Sequence, residues 1–324
     1  MRHGGFVAAV AVVLGLAVVP AHAYEFKERV RPEQTEKNVK ALQVRVAGWY
    51  PSRKQQTFVM DGAYGAKTTE AVRAFEAAYG QPVNGVASKK DLQIIMSLES
   101  RDHSTKHFEF SEFAQNSNAS CGSKANSYAG SFAGGMSRAK IAKRNVRRLM
   151  WRLEAVRKKG GSKPIGINSG FRSVPYNDCI GGARASQRLF GTAADNRMVG
   201  IDNRKERNLA KRSQVHGIGC YSSQSHNHFD LRIDNKDMGA GHFWWWPKRD
   251  SRGRDLADDG KPCWGEKSHR TARGTGQPLS RTTTALILRE VTQAVPGAGS
   301  LLPSFAEVEA FEQAGEVADL SGAD

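Results

Sequence analysis

The chain has 324 residues, four cysteines, and 48 Lys and Arg against 32 Asp and Glu, a formal net charge of +16. That length exceeds one small domain and accommodates two ordinary cores. Such a basic surface suits an anionic polymer, but no nucleic-acid recognition motif accompanies the charge, so no nucleic-acid partner is expected.

At the N-terminus, Arg2 and His3 precede an apolar run from Phe6 to Val19, and Ala21-His22-Ala23 has the small-x-small form of a cleavage site. Residues 1–23 therefore read as a secretory signal peptide, because the run is shorter than the roughly 20 apolar residues of a membrane span. No later run comes closer. The expectation is a secreted protein, extracellular or cell-wall associated, monomeric, with no membrane span and with anionic wall polymers within reach of its charge.

Residues 30–100 carry three helical patterns. "EKNVKALQVRVAGW" spaces Val39, Leu42 and Val46 along one face, and "KTTEAVRAFEAAYG" does the same with Ala71, Val72, Phe75 and Ala78. Ser88, with Asp91 three residues later, opens the third pattern as a capping box. Glycines in "DGAYG" and "NGV" supply the turns. The set Val39, Ala41, Leu42, Gln43, "DGAYGAKTTEAVRAFE" (61–76) and "PVNGVAS" (82–88) resembles the peptidoglycan-binding domain found beside many wall hydrolases. The resemblance implies a three-helix bundle with peptidoglycan as its partner.

A polar link leads to a second unit, residues 107–265. It opens with "HFEFSEFAQ" and continues with a helix rich in Lys and Arg that turns Val146, Leu149, Leu153 and Val156 inward and a basic face to solvent. "PIGINSGFRS" reads as a strand ending in a turn, and short strands then alternate with Gly-rich loops. The fold class expected is α+β with a small antiparallel sheet. In an oxidising compartment Cys121, Cys179, Cys220 and Cys263 form two disulfides; three pairings exist, and Cys121–Cys179 with Cys220–Cys263 is the one favoured. The absence of a C-x-x-C spacing argues against a thiolate zinc site. "HFWWWP" (242–247) offers a glycan-stacking platform or core packing, of which packing is favoured, and residues 266–324 read as a flexible, largely disordered tail that ends acidic.

Chemistry concentrates in "SHNHFDLRID" (225–234). Strand alternation sends His226, His228, Asp230 and Arg232 to one face and Phe229, Leu231 and Ile233 to the other. Two histidines and a carboxylate in file suit a metal hydrolase, whereas H-E-x-x-H and G-x-S-x-G are both absent. Together with "SEF" (111–113), "SGFRSVPYN" (169–177), "GG" (181–182), "SQRLFGTAAD" (186–195) and "GIGCY" (217–221), this segment resembles the zinc D-alanyl-D-alanine carboxypeptidase family with its H-x(6)-D and H-x-H site.

The resemblance implies Zn2+ held by Asp195 and His228, with His226 as the base that activates water. It also implies Arg172 as the grip on a substrate carboxylate and Asp230 as support for this shell. One position departs: Arg188 falls where the family places its first zinc ligand, and a guanidinium has no lone pair for a metal. Arg188 could pair with Asp195 and fill the metal position, leaving a binding domain without catalysis. Alternatively His216 replaces the missing ligand, or Arg188 points elsewhere. Retention of Arg172, Asp195, His226, His228 and Asp230 tips the sequence reading toward a secreted, peptidoglycan-directed zinc metallopeptidase that hydrolyses a D-Ala-D-Ala-type or related wall peptide bond. The alternative is a non-catalytic peptidoglycan-binding homologue.

Overall fold

The computed structural model describes residues 36–51, 56–128, 139–184, 186–231 and 245–266. The signal-peptide segment, Arg232, Ile233, Trp244 and all but the first residue of the expected tail lie outside the described residues.

The three expected helices form: α1 (Glu36–Val46), α2 (Ala66–Ala78) and α3 (Lys89–Ser97). Their spaced apolar residues meet in one core, with Val39, Leu42, Val46, Ala71, Phe75, Leu92 and Ile95 all at most 2% exposed. The loop before α2 is organised by one buried amide. Gln43 Nε2 donates to Asp61 Oδ1, to the Ala63 carbonyl and to Thr68 Oγ1 at 2.9 to 3.0 Å, while its Oε1 accepts from Gly62 N at 2.8 Å. Gly62 sits at φ +85°, and a Cβ there would lie 2.9 Å from the Glu36 carbonyl. The D-G-x-Y-G-x-x-T frame is thus a set of partners for Gln43, with Tyr64 closing the far side through its hydroxyl to the Gly85 carbonyl at 2.8 Å. Ser88 caps α3: Ser88 Oγ accepts from Asp91 N, and the Asp91 carboxylate accepts from Ser88 N at 2.7 Å.

After the short helix α4 (Phe110–Phe113), the long basic helix α5 (Ala139–Lys159) is buried on two sides. Val146, Leu149, Leu153 and Val156 face the second core as expected, each 0% exposed. Trp151 and Ala155 face the other way and complete the core of the α1–α3 bundle. The 3-10 turn Ala47–Trp49 rides directly on this second face, where a Cβ on Gly48 would come within 2.7 Å of Ala155 Cβ. The wholly solvated basic face expected of α5 is therefore corrected. Arg152 is fully buried, and Lys159 Nζ donates to the Gly48 carbonyl at 2.8 Å and to Ser213 Oγ at 3.2 Å. Gln214 adds a second clamp, accepting from Phe58 N at 2.9 Å and donating to the Gln56 carbonyl at 3.1 Å.

The second core lies between α5, α7 (Asn203–Lys211) and a four-stranded antiparallel sheet. Its strands are β1 (Ile165–Ser169), β2 (Ala193–Met198), β3 (Gly217–Cys220) and β4 (Asn227–Asp230), in the order β1-β2-β4-β3. Between β1 and β2 runs helix α6 (Val174–Cys179), and a small hairpin of β5 (Lys248–Arg249) and β6 (Asp255–Leu256) follows the sheet. Arg207 of α7 joins these parts, binding Asp255 Oδ2 at 2.6 Å and Asn227 Oδ1 at 3.0 Å. Both disulfides form with the expected pairing, Cys121–Cys179 and Cys220–Cys263.

Because Trp151 fills one core from a helix that belongs to the other, Trp151→Ala should cost about 3 to 5 kcal/mol, the range for deleting a buried aromatic. Denaturant unfolding of the full chain should show a single transition shifted to lower midpoint. A variant with an intact second core and a separately melted bundle would contradict this coupling. Replacing Cys121 and Cys179 together by Ser should cost about 2 to 5 kcal/mol in the same assay.

Candidate functional site

Register decides which side chains meet. Asp195 of β2 pairs directly with His228 of β4, and Ser169 of β1 pairs with Asp195. On the other side Gly219 pairs with His228, and Gly217 with Asp230. Directly opposed residues share a sheet face, so Ser169, Asp195, His228 and Asp230 project together, while Phe229 and Ile218 enter the core. The glycines of β3 leave room for this set. A Cβ at Gly217 would fall 2.1 Å from the Asp230 carboxylate, and one at Gly219 would meet the Trp245 ring at 2.9 Å and His228 Cβ at 3.4 Å.

Arg188 reaches the same face from the 3-10 turn Gln187–Phe190. Ser186 caps that turn by accepting from Arg188 N at 3.3 Å, and Gly191 ends it at φ +71° against α5, where a Cβ would lie 2.5 Å from the Ala142 carbonyl. The serine and glycine of "SQRLFG" are thus the parts that aim residue 188. Its Nη2 ion-pairs with Asp195 Oδ1 and lies 3.1 Å from Tyr221 Oη and 3.2 Å from His228 Nδ1. Tyr221 Oη in turn donates to Asp195 Oδ1 at 3.0 Å.

His228 stands between two carboxylates, with Nδ1 3.1 Å from Asp195 Oδ1 and Nε2 3.3 Å from Asp230 Oδ2. Burial opposes its protonation, but these two bonds outweigh burial and raise its pKa. Burial likewise pushes the Asp195 carboxyl up, yet the His228 hydrogen bond and the Arg188 charge hold it well below the usual carboxylate range. His226 Nε2 is 3.9 Å from Asp195 Oδ2, and its ring meets Tyr221 edge-on at 4.8 Å. Burial lowers its pKa despite the nearby Asp195 charge.

Arg172 follows β1 and is tied to the Arg188 turn through its backbone N–H to the Arg188 carbonyl at 3.1 Å. Its Nη2 donates to Ser169 Oγ at 3.3 Å, and its Nε is buried with no hydrogen-bond partner among the described residues. Burial and the neighbouring Arg188 charge both pull its pKa down, though a guanidinium stays cationic.

Of the residues singled out in the sequence, Asp195, His226, His228, Asp230 and Arg188 converge in one network. His216 goes elsewhere: in the pleat it shares the side of Ile218, its Nε2 lies 3.2 Å from Gln214 Oε1, and it is 0% exposed. Tyr221 and Trp245 were not identified as site residues in the sequence. Tyr221 directly follows the strand beside the H-x-H segment, which was the available signal. Trp245 lies against His228, ring centroids 6.4 Å apart, so part of the tryptophan run is a wall of the site, while Trp246 packs on the core.

The family resemblance calls for zinc, and the donor set as arranged does not fit it. The Arg188 guanidinium lies where Asp195 and His228 would have to share an ion. Both ring nitrogens of His228 already have carboxylate partners, Nδ1 at 3.1 Å and Nε2 at 3.3 Å, so neither is directed at an open coordination position. Among the described residues no group of three or more His, Cys, Asp or Glu side chains is placed to hold a metal.

Residues 106–230 match the Peptidase M15 family, and residues 33–95 match a peptidoglycan binding domain. The zinc D-Ala-D-Ala carboxypeptidase of Streptomyces albus G is 33% identical over 212 residues, which cover 64% of this chain and 74% of that protein. The two family matches run across the bundle built around Gln43 and the sheet face carrying Asp195 and His228, and with the relative's identity they show that the chain belongs to the M15 peptidase family as a zinc D-Ala-D-Ala carboxypeptidase-like protein with an N-terminal peptidoglycan-binding domain.

Proposed function

We propose that this is an exported wall protein whose pocket captures the C-terminal carboxylate of peptidoglycan peptides, of the D-Ala-D-Ala type or a related terminus. Arg172 holds that carboxylate, and Arg188 supplies fixed positive charge at the position the resemblance gives to a zinc ligand. The observation that carries this reading is the convergence of Asp195 Oδ1, Tyr221 Oη and His228 Nδ1 on the single nitrogen Nη2 of Arg188. Arg172 brings a guanidinium, whose pairing with a carboxylate is commonly bidentate. In this arrangement the pocket binds a peptide end, and the bundle holds the protein to the polymer that bears it.

One observation favours a second reading, zinc-dependent hydrolysis of the same peptide bond. His226 sits at the edge of the network with its pKa depressed, as a base poised to take a proton from water would be. That reading requires the Arg188 side chain to leave Asp195 before an ion could enter.

Calorimetric zinc titration separates the two. Wild type should take up no stoichiometric zinc, whereas Arg188→His, which restores a His, Asp, His donor set, should bind one equivalent. One equivalent in wild type together with release of terminal D-Ala would overturn the binding reading in favour of hydrolysis.

Arg172→Ala should weaken binding of a peptide ending in D-Ala-D-Ala by about 1.5 to 3 kcal/mol, the range for hydrogen bonds to charged groups. Fluorescence anisotropy with a labelled pentapeptide measures it. Equal affinity in the variant would remove Arg172 from the recognition site.

A further inference from the structure

Among the described residues the exposed large apolar side chains are Val59, Val83, Val199 and Trp264. Trp264 is the aromatic one, 44% exposed, and its surroundings hold it in place. It follows Cys263, which is disulfide-bonded to Cys220 at the end of β3. Its backbone N–H donates to the Tyr221 carbonyl at 2.7 Å, and the Arg197 guanidinium lies 5.6 Å from its ring centroid. Arg197 is in turn fixed by donating through Nη1 to Ser225 Oγ at 2.7 Å.

These anchors place the indole beside the pocket. Arg197 is the exposed position of β2, two residues beyond Asp195 and therefore on the same sheet face, about 7 Å along the strand. Ser225 precedes His226, and Tyr221 contacts both Asp195 and His226. A rigid, half-exposed aromatic face with a cation beside it thus lies at the lip of the carboxylate site.

We propose that Trp264 and Arg197 form a saccharide subsite that takes one pyranose ring of the glycan to which the wall peptide is joined. The indole offers an apolar face for the C–H side of the sugar ring, and Arg197 has donors beyond the one given to Ser225 for a hydroxyl or N-acetyl oxygen. Sugar is the occupant that fits, because the chain's N-terminal domain matches a peptidoglycan binding domain and the proposed peptide pocket adjoins the subsite. This inference rests on the reading of the pocket as a peptide-end site.

The test compares two ligands on the full chain by calorimetry: a free pentapeptide ending in D-Ala-D-Ala, and the same peptide joined to its wall disaccharide. Wild type should bind the disaccharide-peptide about tenfold more tightly, a difference of about 1.4 kcal/mol. In Trp264→Ala that ratio should fall to about two or less, in Arg197→Gln it should fall partway, and Trp264→Phe should keep most of it. An unchanged melting temperature of Arg197→Gln and Trp264→Phe guards against misfolding beside the disulfide. If wild type binds both ligands equally, or if the preference survives in Trp264→Ala, the subsite is wrong while the peptide pocket stands. If wild type binds neither ligand, the peptide-end reading falls and the subsite with it.

Discussion

Helix α5 is apolar on two sides, and the rest of the architecture depends on that constraint. An ordinary amphipathic helix needs one partner and leaves its other face to solvent. Here Leu149 and Leu153 demand the sheet, while Trp151 and Ala155 demand the bundle, so neither core is complete without the same 21 residues. Lys159 and Gln214 add directional bonds across this junction, which fixes orientation as well as contact. The Asp195–His228 network is built on the far side of the sheet that α5 supports. Even Gly191, which aims Arg188, rests on the Ala142 carbonyl of that helix.

The pocket itself follows from pairing register. One antiparallel alignment puts Asp195 opposite His228, and a one-residue slip would have turned one of them into the core. Strand β3 contributes by what it lacks, since Gly217 and Gly219 leave the volume that Asp230 and Trp245 occupy. The Asp195 carboxylate is met at close range by the Arg188 cation and by hydrogen bonds with the Tyr221 hydroxyl and the His228 ring. Buried charges persist when they are paired and hydrogen-bonded in this way.

Much of this was legible in the sequence. The three bundle helices, the inward residues of α5, the strand of "PIGINSG" and the α+β class follow from spacing and capping chemistry, and the oxidising compartment implies two disulfides, of whose three possible pairings the favoured one formed. The convergence of Asp195, His228 and Asp230 was legible only through family resemblance combined with period-two alternation. Two things were not. A stretch with ten Lys and Arg among residues 138 to 159 hides Trp151 and Ala155 as bundle residues, because charge content says nothing about which face meets a second core. Nor could local pattern place His216 or Tyr221. Whether a side chain near a strand end joins a site depends on the register of strands distant in sequence, and here Tyr221 joins while His216 turns to Gln214.

The guanidinium of Arg188 has a consequence for how the pocket acquires its charge. A metal centre is a reversible equilibrium: its occupancy depends on free ion concentration, and competing chelators or scarcity can empty it. Arg188 is covalently part of the chain and cannot be deprotonated in the physiological range. The positive centre facing Asp195 is therefore present in every folded copy, and the guanidinium's own charge does not vary with the metal supply of the surrounding medium.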